Sequence, residues 1–207
     1  MNQRGAAIEE QHRGARAVRE LPILVVVALL VAFLLKTFVA QAFYIPSGSM
    51  EPQLHVGDRV VVSKLAYRLH DPRRGDIVVF PAPDQPPPSS DDFLPVRWAK
   101  DLLQGVGLAQ PDETELIKRI IGLPGETVEG HDGHVFINGR ELIEPYLPKG
   151  TRTSDFAPVS LTSGKVWMMG DNRPGSADSR KFGPVDESTI VGRAIFKAWP
   201  PWDASFL

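Results

Sequence analysis

The sequence contains no cysteine among its 207 residues. This absence excludes a thiol nucleophile, a thiolate metal site and a disulfide. Any exported domain of this chain must therefore be stabilised by its hydrophobic core alone. The absence is compatible with an oxidising compartment but does not indicate one.

The chain also lacks an excess of positive charge. Its 23 Lys and Arg residues are balanced by 25 Asp and Glu residues, which gives a formal net charge of -2. No basic run interleaved with aromatic residues is present, so a nucleic-acid-binding surface is disfavoured. A length of 207 residues suits one medium domain with an anchoring or targeting segment.

Only one apolar run is long enough to cross a bilayer. Residues 21–40 contain Lys36 as their only charged residue, and about twenty helical residues span about 30 Å of hydrocarbon. Residues 1–20 are polar and carry several arginines, which predicts a cytoplasmic N-terminal tail. The remainder, residues 41–207, is then expected outside the membrane.

The same segment allows a second interpretation. A charged flank, an apolar core and the small residues of Ala40-Gln41-Ala42 also fit a secretory signal peptide that is cleaved after Ala42. The product would be a secreted, non-enzymatic β module that binds a partner. In both interpretations the residues after position 42 are exported.

The exported part has the pattern of a mainly β domain. Short runs rich in Val and Ile alternate with turns that contain Gly, Pro, Asn or Asp. Asn138-Gly139 predicts a two-residue hairpin turn. Residues 81–114 interrupt the pattern with a Pro-rich stretch and a segment of helical spacing, which we interpret as an exposed insertion. The predicted strands are Arg59–Lys64, Asp76–Phe80, Glu115–Ile121, His134–Asn138, Lys165–Met169 and Ile190–Lys197.

A small turn directly after the apolar run holds a candidate nucleophile. In Pro46-Ser47-Gly48-Ser49-Met50, the glycine lets the chain turn and present the hydroxyl of Ser49. A serine beside a glycine is also a common loop sequence, so the turn alone assigns no role to Ser49. A serine nucleophile further needs a base within hydrogen-bonding distance.

Lysine is a stronger candidate for this base than histidine. The histidines lie in the polar tail, in turns or at hairpin edges, and Ser49 lacks the G-x-S-x-G sequence of many Ser-His enzymes. In the predicted strand 115–121, Lys118 shares the face of Leu116 and Ile120 because strand side chains alternate. Burial there would lower the pKa of the lysine, and a neutral lysine can act as a general base. The structural alternative is a lysine that snorkels from an edge strand.

With Ser49 and Lys118 together, the chain resembles the bacterial type I signal peptidases, membrane-anchored Ser/Lys endopeptidases that remove signal peptides from exported preproteins. Four sequence blocks occur in the family order over about residues 36–198 and follow the apolar span. The blocks are Ile45–Pro52 followed by Gly57-Asp58, then Arg74–Phe80, Ile117–Gly125 and Gly170–Arg180.

The resemblance implies a role for each catalytic position. Ser49 would be the acylating nucleophile and Lys118 the general base. The backbone N–H of Ser49 and the hydroxyl of Ser47 would form the oxyanion hole. Ser176 would orient the lysine, although Pro174-Gly175 stands where the family more often has polar residues.

The resemblance also implies the surroundings of the site. Two ion pairs, Asp178 with Arg180 and Asp171 with Arg119, would hold one wall. Shallow apolar pockets would select small residues one and three positions before the cut. The residues that match the walls of these pockets are Phe43, Ile45, Met50, Leu54 and Ile117.

The same resemblance implies a single-pass protein of a bacterial plasma membrane, with an extracytoplasmic catalytic domain and no metal or cofactor. Its partners would be the lipid bilayer and signal-peptide-bearing preproteins. A second enzyme class, the self-cleaving repressors, shares the Ser/Lys β fold. Those proteins carry an N-terminal DNA-binding domain, for which residues 1–20 are too short.

Overall fold

The computed structural model of the chain describes residues 22, 24–29, 40–83 and 115–207. The chain divides into two compact units, residues 1–39 and 40–207. In the first unit, residues 24–29 are helical with exposed side chains. No helix among the described residues is long and apolar enough to span a membrane. The predicted tail, most of the predicted span and most of the predicted insertion lie outside the described residues.

The second unit is mainly β, as predicted, and every strand expected from the sequence is present with small shifts at its ends. The described strands are β1 (Ala40–Tyr44), β2 (Arg59–Ser63), β3 (Ile77–Pro81), β4 (Glu115–Gly122), β5 (Thr127–His131), β6 (His134–Ile137), β7 (Arg140–Glu141), β8 (Phe156–Ser160), β9 (Lys165–Met169), β10 (Val185–Asp186), β11 (Gly192–Trp199) and β12 (Ser205–Phe206). The described helices of this unit are short: α1 (Ala66–Leu69), α2 (Ser179–Phe182) and the 3-10 helices η1 (Gly48–Met50), η2 (Glu187–Thr189) and η3 (Pro201–Asp203).

Within the described residues these strands form two antiparallel sheets. The larger sheet has eight strands in the order β1-β2-β11-β3-β4-β9-β10, with β12 also paired to β11. The smaller sheet, in the order β7-β6-β5-β8, is formed by the chain between β4 and β9. The central strand β4 therefore lies between β3 and β9.

The position of β4 explains why its charged residues are buried. Residues 117–122 are all buried, because both faces of the strand are covered. Ile117, Ile120 and Ile121 each pack into a different hydrophobic cluster, and full burial of each side chain stabilises the fold by roughly 1.5–3 kcal/mol. The edge-strand alternative for Lys118 is wrong, since the residue is only 2% exposed in a central strand.

The smaller sheet contains the hairpin turn predicted from the sequence. The predicted hairpin at Asn138-Gly139 is confirmed: β6 and β7 pair across it, and both residues have positive φ, 52° and 74°.

Strand β5 was not predicted, because Gly130 is unfavourable in a strand interior. A Cβ on Gly130 would lie 2.4 Å from the ring of Phe156, which stacks on Trp167. The glycine thus makes room for an aromatic pair.

Strand β1 contains the Ala40-Gln41-Ala42 sequence of the signal-peptide interpretation. Ala42 and Phe43 pair with Val61 and Val60 of β2. Cleavage after Ala42 would therefore cut a paired strand in its middle.

We expect N-terminal sequencing of the purified chain to find no fragment that starts at Phe43. A protease binds an extended backbone that is free to enter its site, and β1 would first have to separate from β2. Mass spectrometry of the intact protein from membrane and soluble fractions checks the expectation. A mature chain that begins at Phe43 would contradict it and favour the signal-peptide interpretation.

Candidate active site

The nucleophile turn and the buried lysine meet at one point of the large sheet. Strand β1 leads through Pro46 into η1, which carries Ser49, and β4 carries Lys118. Lys118 Nζ donates a hydrogen bond of 2.8 Å to Ser49 Oγ. Both side chains are buried, at 7% and 2% exposure for Ser49 and Lys118. The geometry is that of a nucleophile beside its base.

Burial changes the acidity of Lys118. It lowers the pKa of the ammonium from 10.5 to about 8, and the negative charges of Asp178 and Asp171 oppose the shift only in part. In about a tenth of the molecules the side chain is then neutral at pH 7, whereas for an unperturbed lysine the neutral fraction is less than about one in a thousand. The Ile117 carbonyl accepts a second hydrogen bond from Nζ at 2.8 Å. The lysine is thus both held in place and able to accept a proton.

The other face of the turn presents hydroxyl and amide donors. Ser47 is exposed, and its hydroxyl donates to Ser49 Oγ at 3.4 Å. The Ser49 N–H belongs to the same turn. A hydroxyl and an amide N–H can each donate a hydrogen bond to a negative oxygen.

The loop of residues 170–180 forms a wall beside this turn, and ion pairs support it. Arg119 donates to both carboxylate oxygens of Asp171, at 2.8 and 2.6 Å. Arg180 contacts Asp178 in the same two-pronged way, at 2.8 and 2.7 Å. Burial alone would raise the pKa of Asp178, but the bonds from Arg180 and the Gly170 N–H lower it. Both expected pairs are therefore formed.

A third pair in this wall was not foreseen. The buried guanidinium of Arg173 donates to the Glu144 carboxylate, to Thr153 Oγ1 at 2.7 Å and to the Gly170 carbonyl at 3.1 Å. Burial would lower the pKa of Arg173, but its bond to Glu144 raises it, so the group stays charged. The block Gly170–Arg180 contains Arg173, but no local pattern around Glu144 marks it as the partner.

Ser176 lies beside the nucleophile turn without the predicted bond to Lys118. A Cβ on Gly170 would come within 2.3 Å of Ser176 Oγ and 2.4 Å of the Ser49 carbonyl oxygen. The loop and the turn thus approach closely because Gly170 has no side chain. Ser176 Oγ is buried near Asp178, while Lys118 Nζ is directed to Ser49 and Ile117.

The five residues expected to line substrate pockets share one hydrophobic cluster. Four of them are almost wholly buried, and Phe43 is partly buried against them. In this structure they form core beneath the turn, and Phe43 offers the accessible surface. The buried four are Ile45, Met50, Leu54 and Ile117.

The acidic residues of the site are occupied by arginines. Asp171, Asp178 and Glu144 are each bound by a guanidinium. Within the part of the chain that the structure describes, no three His, Asp or Glu side chains converge on a position that could hold a metal ion. Acyl transfer by serine and lysine is the chemistry that these groups support.

Comparison with known proteins matches the chain to a family of peptidases. Residues 18–199 match the family described as signal peptidase, peptidase S26. Signal peptidase I of Mycobacterium tuberculosis (strain ATCC 25618 / H37Rv) is 38% identical over 95% of this chain and 78% of the relative. Probable signal peptidase I-1 of Synechocystis sp. is 41% identical over 86% of this chain and 80% of the relative. The crystal structure of a signal peptidase I from Enterococcus faecalis is 30% identical and covers 60% of this chain and 97% of that chain, with a TM-score of 0.42.

Burial of Lys118 predicts a cost in stability that depends on pH. Below about pH 8 the lysine is protonated in both the folded and the unfolded protein, so the full cost of burying its charge applies. Between pH 8 and 10.5 this cost declines with rising pH, because the folded protein loses the proton first, and above pH 10.5 it vanishes. We therefore expect Lys118→Met to raise the free energy of unfolding at pH 7 by about 1–3 kcal/mol, allowing for lost hydrogen bonds. The gain should disappear above pH 10.5, the ordinary lysine pKa.

Urea unfolding of the full chain in detergent at both pH values measures this difference. The control is Lys165→Met, because Lys165 is 36% exposed in a surface pair with Asp186. That variant should differ from the parent by less than about 1 kcal/mol. A Lys118→Met protein no more stable than the parent at pH 7 would contradict the prediction.

Proposed function

This chain belongs to the signal peptidase family, peptidase S26, and on that premise we propose that it removes signal peptides from exported preproteins by a Ser49–Lys118 dyad. The observation that carries the assignment of residues is the buried hydrogen bond of 2.8 Å between Lys118 Nζ and Ser49 Oγ. The alternative of a non-enzymatic binding module is not supported, because the family and the named relatives are peptidases.

The proposed reaction proceeds through an acyl-enzyme. Neutral Lys118 takes the proton of Ser49 Oγ while that oxygen attacks the carbonyl carbon of the scissile peptide bond. The Ser49 N–H and the Ser47 hydroxyl donate to the resulting oxyanion. Collapse breaks the C–N bond, and Lys118 returns its proton to the leaving amine. Water, deprotonated by the same lysine, then hydrolyses the ester and regenerates Ser49.

Steric selection accounts for the proposed preference for small-x-small sites. The cluster beneath the turn is packed with Ile45, Met50, Leu54 and Ile117, and we infer that it admits only small side chains beside Phe43. Exclusion by shape is sharper than attraction, which distinguishes substrates by only about 1–3 kcal/mol per methylene. Ser176, which lies beside the turn, would help to orient Lys118.

The proposed topology follows from the sequence. Residues 1–20 would be the cytoplasmic tail, residues 21–40 a single span and residues 41–207 the extracytoplasmic catalytic domain of a bacterial plasma-membrane protein. The arginine-bearing flank and the apolar run, in which Lys36 is the only charged residue, support this arrangement. A signal peptide held in the same bilayer would then be cut near the membrane surface.

Ser49→Ala and Lys118→Ala should each lower kcat/KM for a peptide with an Ala-x-Ala site by at least about a thousandfold. Lys118→Arg should fail equally, because a guanidinium stays protonated and cannot act as a base. Chromatography and mass spectrometry of the products measure cleavage. Lys165→Arg, at the protein surface, is the matched control and should be fully active. Normal turnover by either Lys118 variant would refute the dyad.

The pH dependence of kcat/KM should follow the fraction of molecules in which Lys118 is neutral. Since the base acts deprotonated, kcat/KM of the parent should rise with pH and level off above an apparent pKa of about 8, the value to which burial lowers Lys118. Initial rates at low substrate concentration over a series of buffers give the profile. A midpoint near 10.5, the ordinary lysine value, would contradict a base whose pKa is lowered by burial.

A further inference from the structure

Asn172 contacts the nucleophile turn through two hydrogen bonds. Its side-chain Nδ2 donates to the Gly48 carbonyl at 3.0 Å, and its backbone N–H donates to the Ser49 carbonyl at 3.1 Å. One residue of the 170–180 loop therefore holds two successive carbonyls of the turn. None of the roles described above for the site uses Asn172.

The bond to Gly48 bears on the proposed oxyanion hole because of peptide geometry. The carbonyl of Gly48 and the N–H of Ser49 belong to one planar, trans peptide, so they point in opposite directions. Holding the oxygen on one side sets the direction of the N–H on the other side. Gly48 also accepts from the Glu51 N–H at 3.2 Å, and bonds to a carbonyl polarise the same amide as a donor.

The orientation of the Gly48–Ser49 peptide needs such a constraint because its first residue is a glycine. Glycine has access to more backbone conformations than any other residue, so the Gly48–Ser49 peptide has little intrinsic preference for one orientation. A contact from outside the turn adds to the Glu51 N–H in selecting the orientation.

The amide of Asn172 is itself held. Its Oδ1 accepts from the Gly175 N–H at 3.2 Å, which directs Nδ2 towards Gly48. The neighbouring Asp171 is bound by Arg119 at two points. Only an amide satisfies both ends, because a carboxylate could accept from Gly175 but could not donate to Gly48.

We propose that Asn172 is a positioning residue that orients the Ser49 N–H towards the oxyanion by holding the Gly48 carbonyl. This inference rests on the proposed function, because it assigns a role within the same oxyanion hole. Asn172 contacts the turn through the Gly48 and Ser49 carbonyls and not through Ser49 Oγ. Its loss should therefore weaken stabilisation of the transition state and leave substrate binding nearly unchanged.

The test compares Asn172→Asp, which keeps the shape and the contact to Gly175 but loses the donor, with the parent. We expect kcat to fall about 10- to 100-fold, somewhat less than the loss of an oxyanion donor itself, while KM changes less than about twofold. A peptide aldehyde, which forms a tetrahedral adduct on serine, should bind more weakly by the same factor as the loss in kcat/KM. Asn138→Asp, the same substitution in the β6–β7 turn, is the control and should be fully active.

Asn172→Ala is the second variant, because it removes the donor without adding a charge. Its pH midpoint should stay near the value of the parent while kcat falls as in Asn172→Asp. Full activity of both Asn172 variants would overturn the proposal. An unchanged affinity for the aldehyde despite a loss of activity would also overturn it, because the loss would then be merely structural.

Ser49→Ala separates this inference from the proposed function. If Ser49→Ala still cleaves the peptide, the proposed function fails and the role of Asn172 fails with it. If Ser49→Ala is inactive while both Asn172 variants turn over like the parent, only the positioning role is lost.

Discussion

The hydrogen bond between buried Lys118 and Ser49 is the interaction on which the rest of the structure depends. A lysine becomes a base near neutral pH only if it is removed from water, and removal from water requires cover on every side. Central placement of β4 gives that cover on two faces. The nucleophile turn and the 170–180 loop complete the surroundings of the Ser49–Lys118 pair.

Buried charges near Lys118 affect its pKa. Asp178 and Asp171 both raise the pKa of Lys118 and so work against its proposed role as a base. Each of the two carboxylates is bound by an arginine, and Arg173 is matched by Glu144. These pairs give the buried charged groups hydrogen-bond partners and hold the loop in place. They also weaken the electrostatic effect of the carboxylates on Lys118. Breaking one pair would leave an uncompensated buried charge, which is costly.

Parts of the fold followed from local patterns. Alternation predicted β4 and the shared face of Leu116 and Ile120, which do pack in one cluster. Strand β5 was missed because Gly130 is locally unfavourable and only the ring of Phe156 explains it. Strand β1 was missed because its small and apolar residues also fit the end of a span or a cleavage site. In both cases the deciding contacts come from elsewhere in the chain.

The sequence by itself determined the mainly β class, the candidate nucleophile turn, the candidate lysine and the family, because each is carried by short local patterns and their order along the chain. Only the tertiary structure decided what these residues meet. Lys118 reaches Ser49 across 69 positions, and Asn172 reaches Gly48 across 124. Such contacts depend on strand order and register, which no single segment encodes. The same holds for Arg173 with Glu144 and for the burial of the predicted pocket residues.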